Sequence, residues 1–349
     1  MIRIQLSHER LAGARFAVSP LLQLVPALLA VRSGRETPAW VRRGWAGLSR
    51  SSRSTLEHLV DPAARTVPDF LMPYPTSGSA DVAAELASVR ATPSEVVRRQ
   101  LSTVVQVGEV SPEFARARGV TRERVAAWRR PATEADRRAY AGSPELVTHP
   151  AADALEEAWG LILRDRWQAI HATLSADVMH RASQAASQGM ERAVCDVLTV
   201  TERTGDSAAM ATSLHVDGEM LDGELVLAPS VFFDRGHYGF VTGPRLGDLL
   251  LGYPSRGRAE ALGQAPVREP AAAGLWGLLP PSRRSVLQAL SEPRSGQGLA
   301  SLLGLSPATV SHHLTRLRRD GLVESFRVGK QVIYRRSDAS ASLDDGAAD

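Results

Sequence analysis

Three groups of residues in this sequence carry side chains that could do chemistry. Asp217, Glu219, Asp222 and Glu224 in HVDGEMLDGE, with the His237–Tyr238 pair in RGHYGF, could supply carboxylates and an imidazole for general acid–base work. Cys195 in MERAVCDVL is the only cysteine and could serve as a nucleophile or a sensing thiol. The third group is the densest. It holds Ser306, Ala308, Thr309, Ser311, His312, His313, Thr315, Arg316 and Arg319 in SPATVSHHLTRLRR, then Arg327, Lys330 and Gln331 in FRVGKQ. Small hydroxyl side chains beside imidazole and guanidinium donors suit the reading of polar edges and anionic oxygens at close range rather than bond breaking.

The first two groups have simpler explanations. Asp-Gly pairs and spaced acids between strands are the ordinary content of an exposed turn. No Ser-centred elbow, phosphate-cradling glycine loop or H-E-x-x-H pattern accompanies them, so no enzyme and no cofactor are expected. A lone thiol in a helical stretch is most often a small core residue. With one cysteine the chain has no internal disulfide and no multi-cysteine zinc or iron–sulfur site.

The elements that must position the third group can be read around it. Ser306 is placed to cap a helix that Pro307 opens, and the helix spans 307–319. Val310, Leu314 and Leu317 fall on one of its faces, which turns Ala308, Thr309, Ser311, His312, Thr315 and Arg316 the other way. Two helices precede it, SRRSVLQAL capped by Ser282 and GQGLASLLG ended by Gly304. Small Ala300, Gly304 and apolar Val310, with Leu299, Leu303 and Leu305 at the corner, have the spacing of a helix-turn-helix, because two backbones can cross closely only over small residues. After Gly321, LVESFRVGKQVIYRR alternates around a Gly329 turn and predicts a hairpin, or wing, with Arg327, Lys330 and Gln331 at its tip.

Charge singles out the same segment. Residues 282–336 hold ten Arg and Lys against three Asp and Glu, whereas residues 1–281 hold 31 of each and 337–349 hold four Asp and no base. Lys330 is the only lysine among 41 basic residues, so arginine abundance by itself is a compositional bias. The asymmetry along the chain is not, and it implies an anionic partner for the C-terminal module.

Taken together, LSPATVSHHLTRLRRDGLVESFRVGKQVIYRR resembles the ArsR/SmtB group of winged-helix transcriptional regulators, over residues 274–336. The longer upstream region, through MIRIQLS and ELVLAPSVFF, is similar to that of actinobacterial members with an uncharacterised N-terminal domain. The resemblance implies a homodimeric repressor that binds double-stranded DNA and responds to a small-molecule effector. It places Thr309, Ser311, His312, Thr315 and Arg316 at the major groove, His313 near phosphates, and Arg327 and Lys330 toward the backbone or minor groove. Arg318, Arg319, Arg335 and Arg336 are expected on phosphates or in solvent. Two departures matter. The Cys-x-Cys pattern and the final-helix ligands of metal-sensing members are missing, so no metal is expected, and the missing final helix leaves the dimer contact to other parts of the chain.

The remainder predicts an α+β protein: a mostly helical region at 1–252 with a small antiparallel sheet, serving effector binding or dimerisation, a linker at 253–273, the winged helix at 274–336 and a disordered acidic tail at 337–349. Helices are expected in SPLLQLVPALLAV, PAWVRRGWAGL, SADVAAELASV and TPSEVVRRQLSTVVQ, and in two or three stretches across 151–198 whose apolar residues recur every three or four positions. VPDFLMPYP reads as an ordered loop. Short strands are expected from residue 212, joined by the strand at 2–6. The longest apolar run, LLQLVPALLAV, has 11 residues against the roughly 20 needed to cross a bilayer, and the start lacks a secretory pattern, so a cytoplasmic protein without membrane contact is expected. An N-terminal enzyme with an accessory winged helix, and a protein-interaction scaffold, are the competing readings.

Overall fold

A computed structural model of the chain describes residues 2–337 apart from 65, 76–80, 118, 199, 211–217, 221, 235–236, 246, 264–280, 291–292, 304 and 329–330. The chain divides into two compact units, Met1–Gln264 and Ala265–Asp349.

The first unit carries helices α1 (His8–Gly13), α2 (Leu21–Arg32), α3 (Ala39–Gly47), α4 (Arg50–Leu59), α5 (Val82–Arg90), α6 (Ser94–Val104), α7 (Pro112–Ala117), α8 (Arg122–Trp128), α9 (Glu134–Ala141), α10 (Glu145–Ile162), α11 (Trp167–Gln188), α12 (Met190–Leu198) and α13 (Arg258–Ala261). The apolar run too short for a membrane is α2, buried on all sides from Leu21 to Leu28. A helix apolar all round needs a core around it, and here the other helices supply one. Ser19 acts at its start, its Oγ accepting from the Leu22 amide at 3.1 Å. The periodic stretch at 151–198 resolves into α10, α11 and α12, with Gly189 at φ 90° breaking the last two apart. VPDFLMPYP is an ordered loop whose Asp69, Phe70 and Leu71 are buried.

The strands form two four-stranded sheets in this unit, where a single small antiparallel sheet was expected. One has the order β3 (Val200–Thr204), β4 (Ser207–Met210), β1 (Ile2–Gln5), β5 (Gly218–Met220), with β1 antiparallel to β4 and parallel to β5. The N-terminal strand thus joins strands from the far end of the unit. The other has the order β2 (Arg15–Phe16), β6 (Leu225–Ser230), β8 (Leu249–Pro254), β7 (Gly239–Thr242), parallel from β2 to β8 and antiparallel at β7. Every residue of β6 is buried, as are the first five of β8. Central strands covered on both faces read as continuous apolar runs, which is why LVLAPS and LLLGYP do not alternate.

Two cores flank that sheet. Val226, Ala228 and Leu250 face the main helical core with α2, α10 and α11, whereas Leu225, Leu227, Leu249, Leu251 and Tyr253 face a second cluster with Ile4, Leu6, Val194, Val197 and Leu198. The stretch expected as a linker opens with ordered structure, since β8 reaches Pro254 and Leu262, just after α13, is buried in the main core. Polar groups pin the sheet ends. Gln23 donates from Nε2 to the Pro229 carbonyl at 3.0 Å and accepts from the Val231 amide at 3.1 Å. Asp177 of α11 accepts from the Tyr253 hydroxyl at 2.7 Å and from the Arg256 amide at 3.2 Å.

A buried ion pair ties α4 to α9. Arg130 donates to both carboxylate oxygens of Asp136 at 2.7 and 2.9 Å, donates to the His58 carbonyl at 2.9 Å and sits 3.1 Å from Asp61. Asp136 also completes a capping box with Thr133. Burial alone would raise the Asp136 pKa, but the hydrogen bonds from Arg130 and Thr133 outweigh it and hold the carboxyl at about 2. Asp136→Asn is expected to cost about 3 kcal/mol by leaving Arg130 buried with one full partner fewer, measured by urea unfolding at pH 7. Because the folded pKa lies below the ordinary 3.8, the contribution is complete above about pH 4 and fades as pH falls through about 2, where the gap between variant and parent should close.

Candidate nucleic-acid interface

Among the described residues the second unit holds helices α14 (Pro281–Gln288), α15 (Gly296–Leu303) and α16 (Pro307–Arg319), and strands β9 (Arg294–Ser295), β10 (Val323–Val328) and β11 (Gln331–Arg336). α14 begins at Pro281, so Ser282, expected as its cap, lies in its first turn. One core joins them: Val286, Leu287 and Leu290 of the first helical segment, Leu299 and Ala300 of the second, Val310, Leu314 and Leu317 of the third, then Leu322 and Val323, with Leu303, Leu305 and Tyr334 packed at its edge. These include the corner residues read from the sequence. Gly304 and Gly329 lie outside the described residues.

α16 is fixed at both ends. Ser306 Oγ accepts from the Thr309 amide at 3.1 Å and meets the Thr309 hydroxyl at 2.8 Å. At the other end Gly321 takes φ 73°, with the Leu322 amide on the Leu317 carbonyl at 2.9 Å and the Gly321 amide on the Arg318 carbonyl at 3.1 Å. Those are the two bonds of a Schellman turn, and the Leu317–Leu322 pair that accompanies them is part of the core. The turn sends the chain directly into the β10–β11 hairpin, paired from Val323–Arg336 to Val328–Gln331. Ser337 locks its far end through a hydroxyl bond to the Gly321 carbonyl at 2.7 Å. β9 adds a third strand, Ile333 opposite Ser295. A two-residue strand gives no periodicity, and nothing in the sequence announces this one.

With Val310, Leu314 and Leu317 buried, the opposite face of α16 turns outward, and Ala308, Thr309, Ser311, His312, Thr315, Arg316 and Arg319 are all exposed. Their polar atoms are not equally available. The Ser306 and Thr309 hydroxyls are engaged in the cap, and the Thr315 hydroxyl donates to the Ser311 carbonyl one turn back at 2.9 Å. His313 is half-buried at the α14 side. Burial, then His312 and Arg283, push its pKa below the ordinary value, so it is neutral at neutral pH. Ser311 and His312 keep their side chains outward beside Arg316.

The arginines are likewise sorted. Arg335 is held by Glu324 at 2.9 Å across the hairpin, Arg283 by Asp320 at 3.6 Å, and Arg318 reaches Ser325 at 3.3 Å. Arg316, Arg319 and Arg327 have no acidic partner among the described residues and are exposed. Lys330 lies outside the described residues, and of Gln331 the structure describes the backbone, in β11. Of the other candidate groups, Asp222 and Glu224 line one cavity with Arg10, Arg245 and Asp248, and the side chain of Glu219 lies outside the described residues. Asp222 stands 3.7 Å from Arg10 and Glu224 is bonded to Arg15 at 2.8 Å, Tyr238 packs in the second core cluster, and Asp217 falls outside the described residues. Cys195 is half-buried with its pKa raised by burial. Among the described residues, no three His, Cys, Asp or Glu side chains gather as a metal ion would require, and no helix is long and apolar enough to cross a membrane.

Residues 278–325 match a family model described as a helix-turn-helix domain, a span that covers α14, α15 and α16 and enters β10. No curated protein and no solved structure is significantly similar to the chain. The C-terminal unit therefore carries a helix-turn-helix domain, the module with which DNA-binding regulators lay a helix in the major groove.

Ser306→Ala is expected to cost about 1 kcal/mol of stability in this unit, because the Thr309 amide loses its acceptor at the start of α16. Amide exchange of residues 307–312 in the full chain measures it, with α11 as the unaffected control.

Proposed function

We propose that the protein is a sequence-specific, DNA-binding transcriptional regulator of ArsR type, acting as a homodimeric repressor. The observation that carries this reading is the outward face of α16. There Ser311, His312 and Arg316 are exposed over a core-locked helix, and Arg319 on the same helix and Arg327 on the hairpin have no acidic partner among the described residues. A guanidinium free of carboxylates can give two parallel hydrogen bonds to the O6 and N7 of guanine, and short hydroxyls allow the close approach that this contact needs. Arg319 and Arg327 fit phosphate contacts, which carry affinity without sequence information.

In this reading the first unit is a non-enzymatic regulatory and dimerising domain. Its acids Asp222 and Glu224 are already engaged by arginines, which suits structural service in a turn better than catalysis. It answers to a small-molecule effector other than a metal ion and works in the cytoplasm. The homodimer would set two α16 helices at half-sites one helical turn apart, about 34 Å, so a palindromic operator is expected.

Fluorescence anisotropy on duplex from upstream of the gene tests the assignment. Arg316→Ala should weaken specific binding by about 1–3 kcal/mol and relax preference at one base pair. Arg327→Ala should weaken binding to all duplexes alike and lower the slope of log K against log salt by about 0.9. Equal losses for both variants on specific and random duplex would remove α16 from base reading.

A further inference from the structure

The buried carboxylates of the first unit differ in how they are satisfied. Asp136 has arginine nitrogens on both oxygens, Asp177 has Tyr253 on one and the Arg256 amide on the other, and Asp248 has the Glu224 amide and the Arg245 amide, one to each oxygen. Glu85 of α5 does not follow this pattern. It is 4% exposed, its Oε2 accepts from the Leu21 amide at 2.7 Å, and its Oε1 is buried with no hydrogen-bond partner among the described residues. The Ser19 hydroxyl also bonds the carboxyl, and the first amides of α2 supply a favourable dipole end, yet among the described residues no cation opposes the charge.

The described elements packed around it offer none. α2 presents an amide and a hydroxyl, and Asp81 at the start of α5 repels a negative charge. α10 packs on α5, but Asp153 and Glu156 are held by Arg90 at the other end of α5, Glu157 is bonded to Ser49 and Ser52, and Glu145 and His149 are exposed. Residues 76–80, TSGSA, contain no ionisable side chain. A carboxylate buried with one oxygen unmet is costly and has two remedies, to take a proton or to reach water.

We infer that Glu85 is a proton-operated latch between α5 and the start of α2. Neutral, it holds the two elements shut. Ionised, it is relieved by a local opening that lets water reach its second oxygen. Burial pushes its pKa from the ordinary 4.5 up to about 7, against the hydrogen bonds from Ser19 and Leu21. The shut state therefore binds the proton more tightly than the open one. Opening rises as pH climbs from 4.5 toward 7, by up to about tenfold per pH unit, and levels off above. Because α2 is the helix buried on all sides and Gln23 bonds it to the end of β6, the latch acts on the centre of the unit. It does not depend on the DNA-binding reading.

Hydrogen exchange of the full chain at a series of pH values tests it, with rates corrected for intrinsic exchange. Amides of residues 17–25 should lose protection between pH 5 and 7 and hold steady above, while α11 amides do not change. Glu85→Gln should abolish that dependence. A flat parent profile, an equal rise in the variant, or α11 following the same curve would each overturn the latch. Should the variant fail to fold, the ¹³C carboxyl shift of Glu85 in the parent decides: a midpoint near 7 supports the proposal and one below 5 sinks it.

Discussion

Burial of Val310, Leu314 and Leu317 against the residues of α14 and α15 sets the roll of α16, and with it which side chains the second unit shows to its surroundings. Three such side chains taken out of water contribute roughly 5–9 kcal/mol. Any single hydrogen bond on the outward face contributes about 1 kcal/mol. Rolling the helix to bury Thr309 or Arg316 would give up that burial in return for one such bond. The outward set is therefore decided by the core, and the Ser306 cap and Gly321 turn fix its ends.

The first unit obeys a different constraint. Its second sheet is covered on both faces, so β6 and β8 can expose no polar residue to water and their end groups must be met internally. Gln23 meets two of them, and Asp177 holds Tyr253 and the chain beyond it. A two-sided core also explains the sequence order of the parts. β1 and α1 open the chain and α12 and β4 come late, yet all pack on the same face of the sheet because each brings apolar residues that need covering there.

What could be read from the sequence follows the range of the interactions. Helix α16 is legible to the residue because its cap, its first proline, its 3–4 periodicity and its closing glycine are all local. The hairpin is legible for the same reason. The two-sheet arrangement is not: β6 and β8 are apolar throughout, so their period is hidden, and the parallel pairing of Leu225 with Leu249 joins segments separated by the whole of β7. Glu85 is equally illegible, since in VAAELASVR it looks like a surface acid and only the α2 terminus makes it an internal one. Asp136 could be half-read. Thr133 and Asp136 announce a cap, but the arginine that meets the carboxylate sits in a loop that carries no pattern of its own.

Counting charges picks out the C-terminal segment but not the residues within it that are free to bind. Of the arginines expected on phosphates, Arg335 is taken by Glu324, while Arg283, which drew no expectation, is taken by Asp320. Exposed pairs like these add little stability, about 0–1 kcal/mol each. Their effect is selective instead. Each carboxylate lowers the local potential around the arginine it holds, so among the described residues the unshared positive charge stands at Arg316 and Arg319 on the helix and Arg327 on the hairpin. Asp320 and Glu324 thus shape the surface along with the bases, and among the described residues the helix face and the hairpin keep cations that no acid shares.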